Sequence, residues 1–214
     1  MKIKHAINLH KGLTPIVILA LMAAYNNFTL AAFIYLALHG GYGILWLLKD
    51  RYYPDKQWEQ DIPLPTGIFT FTAIGLYWIA PFILIHSGLQ PSSTLIFSAV
   101  LVNLLGIFLH YGSDAQKYYT LKYRTGLITE GFFARSRNPN YLGEILIYIS
   151  FAMLSQHWLP FLILGGFIGG IFIPNMLKKD KSLSRYAEFE AYKSRSGLLL
   201  PKLFISSPAI PQEN

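Results

Sequence analysis

The sequence predicts an all-α protein that crosses a membrane as a bundle of about six helices. Of the residues, 53% are hydrophobic and only 14% are charged, and the mean hydropathy is positive. Such a composition is more typical of a membrane-embedded protein than of a soluble domain. Several uncharged windows also reach or approach about 20 residues, the length that a helix needs to cross a bilayer core.

Lysine and arginine support the same class and set an orientation. All 18 of them lie before the first apolar segment, in the loops 49–66 and 112–139, or after residue 177, and the opposite connections carry none. Because basic loops remain on the cytoplasmic side of a membrane, we expect both termini in the cytoplasm. The pattern suits a bacterial inner membrane and the endoplasmic reticulum equally well.

Six apolar segments account for the predicted crossings. The first is short and follows lysines, as in a signal peptide, but no clean cleavage pattern follows it. Asn26 and Asn27 fit a tight turn to the second segment instead. The segments are 13–25, 28–48, 67–86, 93–111, 140–156 and 158–177.

Composition excludes several kinds of site. The chain has no cysteine, so thiolate nucleophiles, disulfides and cysteine-based metal sites are absent. Its six histidines are scattered with no pair at ligand spacing, so we predict no metal site. The basic residues follow the loops of a membrane protein and need no partner beyond anionic lipid headgroups, so we predict no nucleic-acid partner. Two overlapping small-xxx-small pairs in 165–170 predict close helix packing.

Glu144 is the only acid within a predicted span. Asn138 is expected to cap the fifth helix, with Pro139 at its first position, so that Asn140, Tyr141 and Glu144 share one face. An ionisable group in a span is expected to face the bundle interior or a polar cavity. The alternative is that Glu144 pairs with a nearby Arg or Lys and only holds the bundle together.

The surroundings of Glu144 favour a ligand site. A helix N-terminus, amide side chains and the neighbouring Arg135 and Arg137 together supply hydrogen-bond donors and positive charge. This combination suits a cofactor that carries phosphate or carboxylate groups.

Three ordered segments resemble the steroid 5-alpha-reductase C-terminal domain family. They are GLITEGFFARSRNPNYLGEILIY, the upstream SDAQK and the downstream KDKSLSRYAEFEAYKSRSGLLLPKLF. The resemblance covers residues 106–204. It implies a membrane enzyme that binds NADPH from the cytoplasmic side and delivers its hydride to the β carbon of an enone in an apolar or lipid substrate. The positions that match cofactor-contacting residues are Asp114, Gln116, Lys117, Arg137, Asn140, Tyr141, Glu144, Asp180, Arg185 and Tyr192.

Two alternatives stand beside the reductase. The same superfamily contains isoprenylcysteine and phospholipid methyltransferases, which use S-adenosylmethionine and carry a related Arg-x-Pro-x-Tyr turn. The NYLGE pattern favours a reductase, as does Lys179-Asp180-Lys181, where the methyltransferases have paired glutamates. A non-catalytic scaffold or lipid binder is the other alternative.

The proton donor is harder to identify from the sequence. Eukaryotic steroid reductases carry a catalytic Glu and Tyr in their N-terminal half, but this chain has no acid in its first four predicted spans. His39 and Tyr42 are three residues apart on one helix face, so Tyr42 could donate a proton with His39 beside it. The competing interpretation is ordinary helix packing around an interior histidine.

We expect three regions along the chain. They are a membrane half at 1–111, a reductase-like domain at 112–204 and a flexible tail at 205–214. The loop 49–61 fits either an interfacial anchor or a cover over the cofactor pocket. The segment after residue 181 fits an amphipathic helix on the membrane surface, a lid over the cofactor, or both.

Overall fold

The computed structural model describes residues 1–203 and confirms an all-α bundle, with no strand in that part of the chain. The predicted tail at 205–214 lies outside the described residues. The helices are α1 Ile3–Ala24, α2 Leu30–Tyr52, α3 Leu64–Ser87, α4 Ser93–Tyr123, α5 Pro139–Ser155, α6 Trp158–Leu183 and α7 Phe189–Arg195. Helices α2 and α6 each contain a π-helical turn, at Leu36–Gly40 and Ile168–Phe172, and α3 contains a 3₁₀ turn at Leu76–Trp78.

Within residues 1–203, five helices are long and apolar enough to cross a membrane, namely α1, α2, α3, α4 and α6. The fifth predicted span, 140–156, corresponds to α5, which has 17 residues, most of them buried among the other helices. The helices alternate in direction, so the N-terminus, the loops 53–63 and 124–138 and the segment after α6 meet at one end. We call this the basic end, because it carries the Lys- and Arg-rich loops.

The three predicted boundaries that differ most from the structure all lie at the basic end. Helix α1 begins at Ile3 rather than residue 13, so Lys11 lies inside the helix and is buried. Helix α4 continues to Tyr123, which shortens the predicted 112–139 loop to 124–138. Helix α6 continues to Leu183. Hydropathy detects only the apolar part of a span, whereas lysine and glutamine are good helix formers that extend the helix beyond it.

Helices α4 and α5 pack together along most of their length through two glycines. A Cβ atom on Gly143 would lie 2.4 Å from the backbone nitrogen of His110, and one on Gly106 would lie 2.7 Å from the carbonyl oxygen of Gly143. Asn103 also donates a hydrogen bond of 2.9 Å to Ser150 across this interface.

The close packing predicted for residues 165–170 does not occur within residues 1–203. In that part of the chain, added Cβ atoms on Gly165, Gly166, Gly169 and Gly170 would meet nothing within 4 Å, and these glycines lie on the outer face of α6. A small-residue stripe permits close approach but does not create a neighbour on that side.

The end of α6 and the chain after it are tied to the loop before α5 by a polar cluster that we call the latch. Arg137 donates to both carboxylate oxygens of Asp180, at 2.8 to 3.0 Å, and to the carbonyl oxygen of Ser196. The Tyr192 hydroxyl donates to the carbonyl oxygen of Phe133 at 2.7 Å, and burial raises the pKa of Tyr192 to about 12. The latch comprises Arg137, Asn138, Lys179, Asp180, Tyr192 and Ser196.

The Asn138 side chain belongs to the latch and does not cap α5 as predicted. Its amide nitrogen donates to the carbonyl oxygen of Leu198 at 2.8 Å, and its amide oxygen accepts from Lys179 at 3.1 Å. One side-chain group is therefore bonded to the segment that folds back from α6 and the other to the last turns of α6 itself. Pro139 does occupy the start of the helix.

Candidate functional site

The helices α1 to α6 surround a cavity of about 320 Å³ in the half of the bundle near the basic end. Helix α5 contributes Asn140, Glu144 and Tyr148, which are spaced four residues apart and so lie on one face. Helix α1 contributes Lys11 with Ile3 and Ile7 at the same spacing. Both rows run from the basic end into the bundle.

The two rows of residues extend from the rim of the cavity to its deepest point. Each spans eight residues, about 12 Å at 1.5 Å per residue. Both start at the basic end, at Ile3 and Asn140, and they meet where the Lys11 ammonium group donates to the Tyr148 hydroxyl at 2.8 Å. Entry from the basic end therefore leads past Glu144 to the Lys11–Tyr148 pair.

Hydrogen-bond acceptors without partners lie along this path. We call Asp114, Asn140 and Glu144 the acceptor cluster. The Oδ1 atoms of Asp114 and Asn140 are buried, and neither has a hydrogen-bond partner in the described chain. Glu144 lines the cavity, and no residue within 1–203 forms an ion pair or a side-chain hydrogen bond with its carboxylate. The alternative in which a cation seals Glu144 is therefore not observed in that part of the chain.

A second cavity of about 360 Å³ adjoins the first at the basic end and shares Lys49, Asp55 and Asp114 with it. We call it the cationic cavity. Lys49 pairs with Asp114 at 2.6 Å, and Lys117 pairs with Asp55 at 2.5 Å. Lys56 and Lys122 also line it, so four lysines and two aspartates contribute to the lining and two positive charges are in excess.

The wall of the first cavity also reaches the outer surface of the bundle. Phe69 of α3 and Ile171 in the π-helical turn of α6 line the cavity, yet they are 73% and 45% exposed. Apolar side chains that line the cavity and are also exposed on the outer surface mark an opening between α3 and α6. In a membrane this opening faces lipid.

The loop after α2 covers the rim of the cavity, as one of the two interpretations of 49–61 predicts. Its 3₁₀ turn, Lys56–Glu59, positions Gln57 and Trp58 in the lining, and the Trp58 ring lies 6.4 Å from the ring of Trp46. The turn is tied to α1, because Glu59 accepts hydrogen bonds from Lys2 and Lys4 at 2.6 and 2.5 Å.

The structure separates the predicted cofactor residues into two groups. Asp114, Asn140, Tyr141 and Glu144 line the first cavity, and Lys117 lines the cationic one. The other residues, described next, line neither cavity.

Each residue of the second group is engaged elsewhere. Gln116 holds the loop 124–138, because its side chain donates to the carbonyl oxygen of Glu130 and accepts from the Phe132 N–H, both at 2.9 Å. Arg137, Asp180 and Tyr192 belong to the latch. Arg185 is exposed and contacts Ser182 and Tyr186. For these five residues, direct cofactor contact is not supported by the geometry, because their polar groups are paired within the protein or face away from the cavities.

The predicted catalytic pair, His39 and Tyr42, does not reach the cavity. His39 hydrogen-bonds through Nδ1 to the Tyr35 hydroxyl at 3.1 Å and stacks on Phe151 with ring centroids 4.1 Å apart. Tyr42 is buried behind Lys11. His39 lies in the π-helical turn of α2, where the extra residue per turn changes the face on which side chains emerge.

The sequence-based predictions missed two cavity residues, Lys11 and Tyr148, although helical spacing gives a signal for each. Hydropathy leaves Lys11 outside the first apolar segment, although its spacing from Ile3 and Ile7 is the signal that it continues an inward-facing row. Tyr148 follows Glu144 by four residues on the same face of α5, and that spacing is the signal for it. A helix α1 extended back to Ile3 brings the Lys11 side chain to the interior, where Tyr148 is its neighbour.

A family comparison bears on the resemblance drawn from the motifs. Residues 34–197 match the family model described as "Protein of unknown function (DUF1295)". The chain belongs to the DUF1295 family. This is the steroid 5-alpha-reductase C-terminal-like family that the three segments predicted, so the predicted resemblance is confirmed.

The similarity of this DUF1295 protein to a curated relative covers only a short segment. It is 44% identical over 39 residues to the uncharacterized protein C7D4.09c of Schizosaccharomyces pombe, a match that covers 18% of this chain and 14% of that protein. The chain thus covers only a small part of that relative's length. No solved structure matches the chain.

Proposed function

We propose that this DUF1295 protein is a membrane-embedded, NADPH-dependent reductase of a carbon–carbon double bond conjugated to a carbonyl group in an apolar substrate. One observation carries the proposal. The acceptor cluster, with unpaired oxygen atoms, lies where an apolar cavity meets a cationic one. Native proteins pair nearly all buried polar groups, so unpaired ones call for a ligand or water.

The residues present fit such a cofactor. Asn140 Oδ1, Asp114 Oδ1 and the Glu144 carboxylate are acceptors, which suit the donor groups of a carboxamide and of ribose hydroxyls. The two excess charges of the cationic cavity suit phosphate groups. NADPH would supply the hydride, and the protein would orient it and exclude water.

The substrate side follows from the lining and the opening. Phe167 and Phe172 of α6 and Ile74 of α3 make the far wall apolar. The opening between Phe69 and Ile171 would admit a lipid-dissolved molecule without passage through water. The expected substrate is therefore a hydrophobic enone or a lipid that carries one.

The cationic cavity favours NADPH over S-adenosylmethionine. Both molecules offer donors to the acceptor cluster, but S-adenosylmethionine carries no phosphate and so has no use for excess lysine charge beside the site. The experiment described next distinguishes the reductase from the two alternative functions, a methyltransferase and a non-catalytic lipid binder.

The test is a binding titration of the detergent-purified protein with NADPH, NADH and S-adenosylmethionine, followed by mass spectrometry of reactions with 2-cyclohexen-1-one and a dodecyl derivative of it. We expect NADPH to bind more tightly than NADH, and the enone to gain two hydrogen atoms. Lys117→Gln should weaken NADPH binding, whereas Lys178→Gln, an exposed lysine outside both cavities, should leave it unchanged. Binding of S-adenosylmethionine alone would favour the methyltransferase, and binding of none of the three would favour the lipid binder.

A further inference from the structure

Lys11 occupies an unusual position for a charged residue. The residue is 4% exposed, and in the described part of the chain it forms no ion pair. Its ammonium nitrogen lies 4.1 Å from the ring centroid of Tyr42 and 5.3 Å from those of Trp46 and Tyr148. Cation–π contacts offset only part of the cost of burying a charge. A lysine retained in the interior of a membrane helix under these conditions points to a role in the cavity that it lines.

Tyr148 connects this charge to the cavity. Its hydroxyl oxygen accepts from Lys11 at 2.8 Å, and within residues 1–203 no acceptor lies within hydrogen-bond distance of its own proton, although the buried Tyr42 hydroxyl is close by. The ring is held on one side by Tyr77, whose ring is stacked on it with centroids 3.7 Å apart. The hydroxyl is therefore held in position with one donor free.

The Tyr148 hydroxyl and the Glu144 carboxylate lie on the same face of α5 and line the same cavity. The two residues are four apart on α5, so they are separated by about 6 Å along the helix axis at 1.5 Å per residue. A conjugated ketone could extend over such a distance, with its oxygen at Tyr148 and its double bond nearer Glu144.

We propose that Tyr148 is the proton donor to the substrate carbonyl oxygen, and that Lys11 is a positioning residue that orients the hydroxyl and stabilises its anion. The inference rests on the proposed function and names the polar end of its substrate. Addition of a hydride to the β carbon moves the π electrons onto the carbonyl oxygen. The Tyr148 O–H bond breaks, its proton bonds to that oxygen, and an enol forms. The enol becomes the ketone by proton exchange with water, and water returns a proton to Tyr148.

The first experiment compares Tyr148→Phe with Tyr111→Phe. Tyr111 is a neighbouring tyrosine that lies outside the cavity lining and donates to the Tyr42 carbonyl oxygen at 3.2 Å. Loss of a general acid lowers turnover by roughly 10² to 10⁴-fold. We expect that loss for Tyr148→Phe at unchanged NADPH affinity, and turnover within about threefold of the wild type for Tyr111→Phe, whose hydroxyl has only a structural role.

The second experiment does not need turnover. 2-Dodecylcyclohexane-1,3-dione is an enolate at neutral pH and imitates the charged oxygen that the pair would stabilise. Its affinity should fall at least tenfold in Tyr148→Phe and in Lys11→Met, because a hydrogen bond to a charged group is worth about 1.5 to 3 kcal/mol. Lys11→Arg should recover part of the loss, and Tyr111→Phe should show none.

The outcomes separate the two proposals. If the wild type reduces the enone and Tyr148→Phe does so equally well, the proton-donor assignment is overturned and the reductase stands. If the wild type does not reduce enones with NADPH, the reductase is overturned. In that case, a dione affinity that falls in the Tyr148 and Lys11 variants still supports an oxyanion-binding pair. A dione affinity that is the same in these variants as in the wild type overturns the pair as well.

Discussion

Two polar clusters lie within a few residues of each other at the start of α5, and they differ in how completely they are hydrogen-bonded. In the latch, the Arg137 guanidinium bonds to Asp180 and Ser196, and Lys179 donates to the Arg137 carbonyl oxygen at 2.7 Å. In the acceptor cluster, oxygen atoms of Asp114 and Asn140 are buried without partners.

The difference teaches which polar residues are available to a ligand. The motif GLITEGFFARSRNPNYLGEILIY contains members of both clusters, so family resemblance alone assigns Arg137 and Glu144 to the same site. A cluster whose polar groups are all hydrogen-bonded within the protein stabilises the fold, because a donor that turned to a ligand would leave its present acceptor unpaired. Remaining hydrogen-bond capacity at a cavity is the better indication of a binding site.

The largest expected effect tests the structural side of this comparison. Arg137→Ala leaves Asp180 without its partner, and breaking a buried ion pair costs about 3 to 5 kcal/mol. Thermal or denaturant unfolding in detergent measures the loss. Arg124→Ala removes an exposed pair with Glu130 and should cost less than about 1 kcal/mol.

The same variants also test the latch for a role in binding. We expect the folded fraction of Arg137→Ala to bind NADPH as the wild type does, because Arg137 lines neither cavity. A normal stability together with lost NADPH affinity would assign Arg137 to the site and remove the distinction between the clusters.

The second prediction concerns the acceptor cluster. Glu144→Gln should weaken NADPH binding by about 10- to 100-fold, since hydrogen bonds to charged groups contribute about 1.5 to 3 kcal/mol. Its stability should remain unchanged or rise, because no partner is lost. Isothermal titration and thermal unfolding of the same preparation give both values. Glu188→Gln, at an exposed acid near α7, is the matched control, and lost stability at unchanged affinity would make Glu144 structural.

The third prediction asks what holds the acceptor cluster in position. Gly143→Ala should destabilise the protein by about 1 to 3 kcal/mol, because the added methyl group meets the backbone of α4. Gly165→Ala meets nothing and should be neutral or stabilising by up to about 1 kcal/mol. Equal effects of the two alanines on the unfolding midpoint would contradict the packing of α4 on α5.

The smallest effect belongs to the exposed ion pairs that tie the covering turn to α1. Hydrogen bonds from Lys2 and Lys4 lower the pKa of Glu59 from 4.5 to about 2. A carboxyl group whose pKa is lowered on folding stabilises the protein above its unfolded pKa, and that stabilisation disappears as the pH falls from about 4.5 to about 2. The wild type should lose slightly more thermal stability over this range than Glu59→Gln. Parallel curves would show that these pairs contribute nothing measurable.

Much of the fold was predictable from local pattern. Runs of apolar residues and the one-sided distribution of Lys and Arg predict a membrane bundle with its loops on alternate sides, because a bilayer core admits only segments that bond their own backbone. The face shared by Asn140, Tyr141 and Glu144 also follows from helix geometry, and all three do line the cavity.

Contacts between distant segments decided the rest. No local pattern shows that Asp180 takes the guanidinium of Arg137, that the glycines at 165–170 face outward, or that Lys11 meets Tyr148 across 137 positions of sequence. Pairing of polar groups depends on which helices are neighbours and how deeply each enters the bundle. Helical periodicity thus assigns a residue to a face, while packing decides whether that face meets a partner, lipid or a cavity.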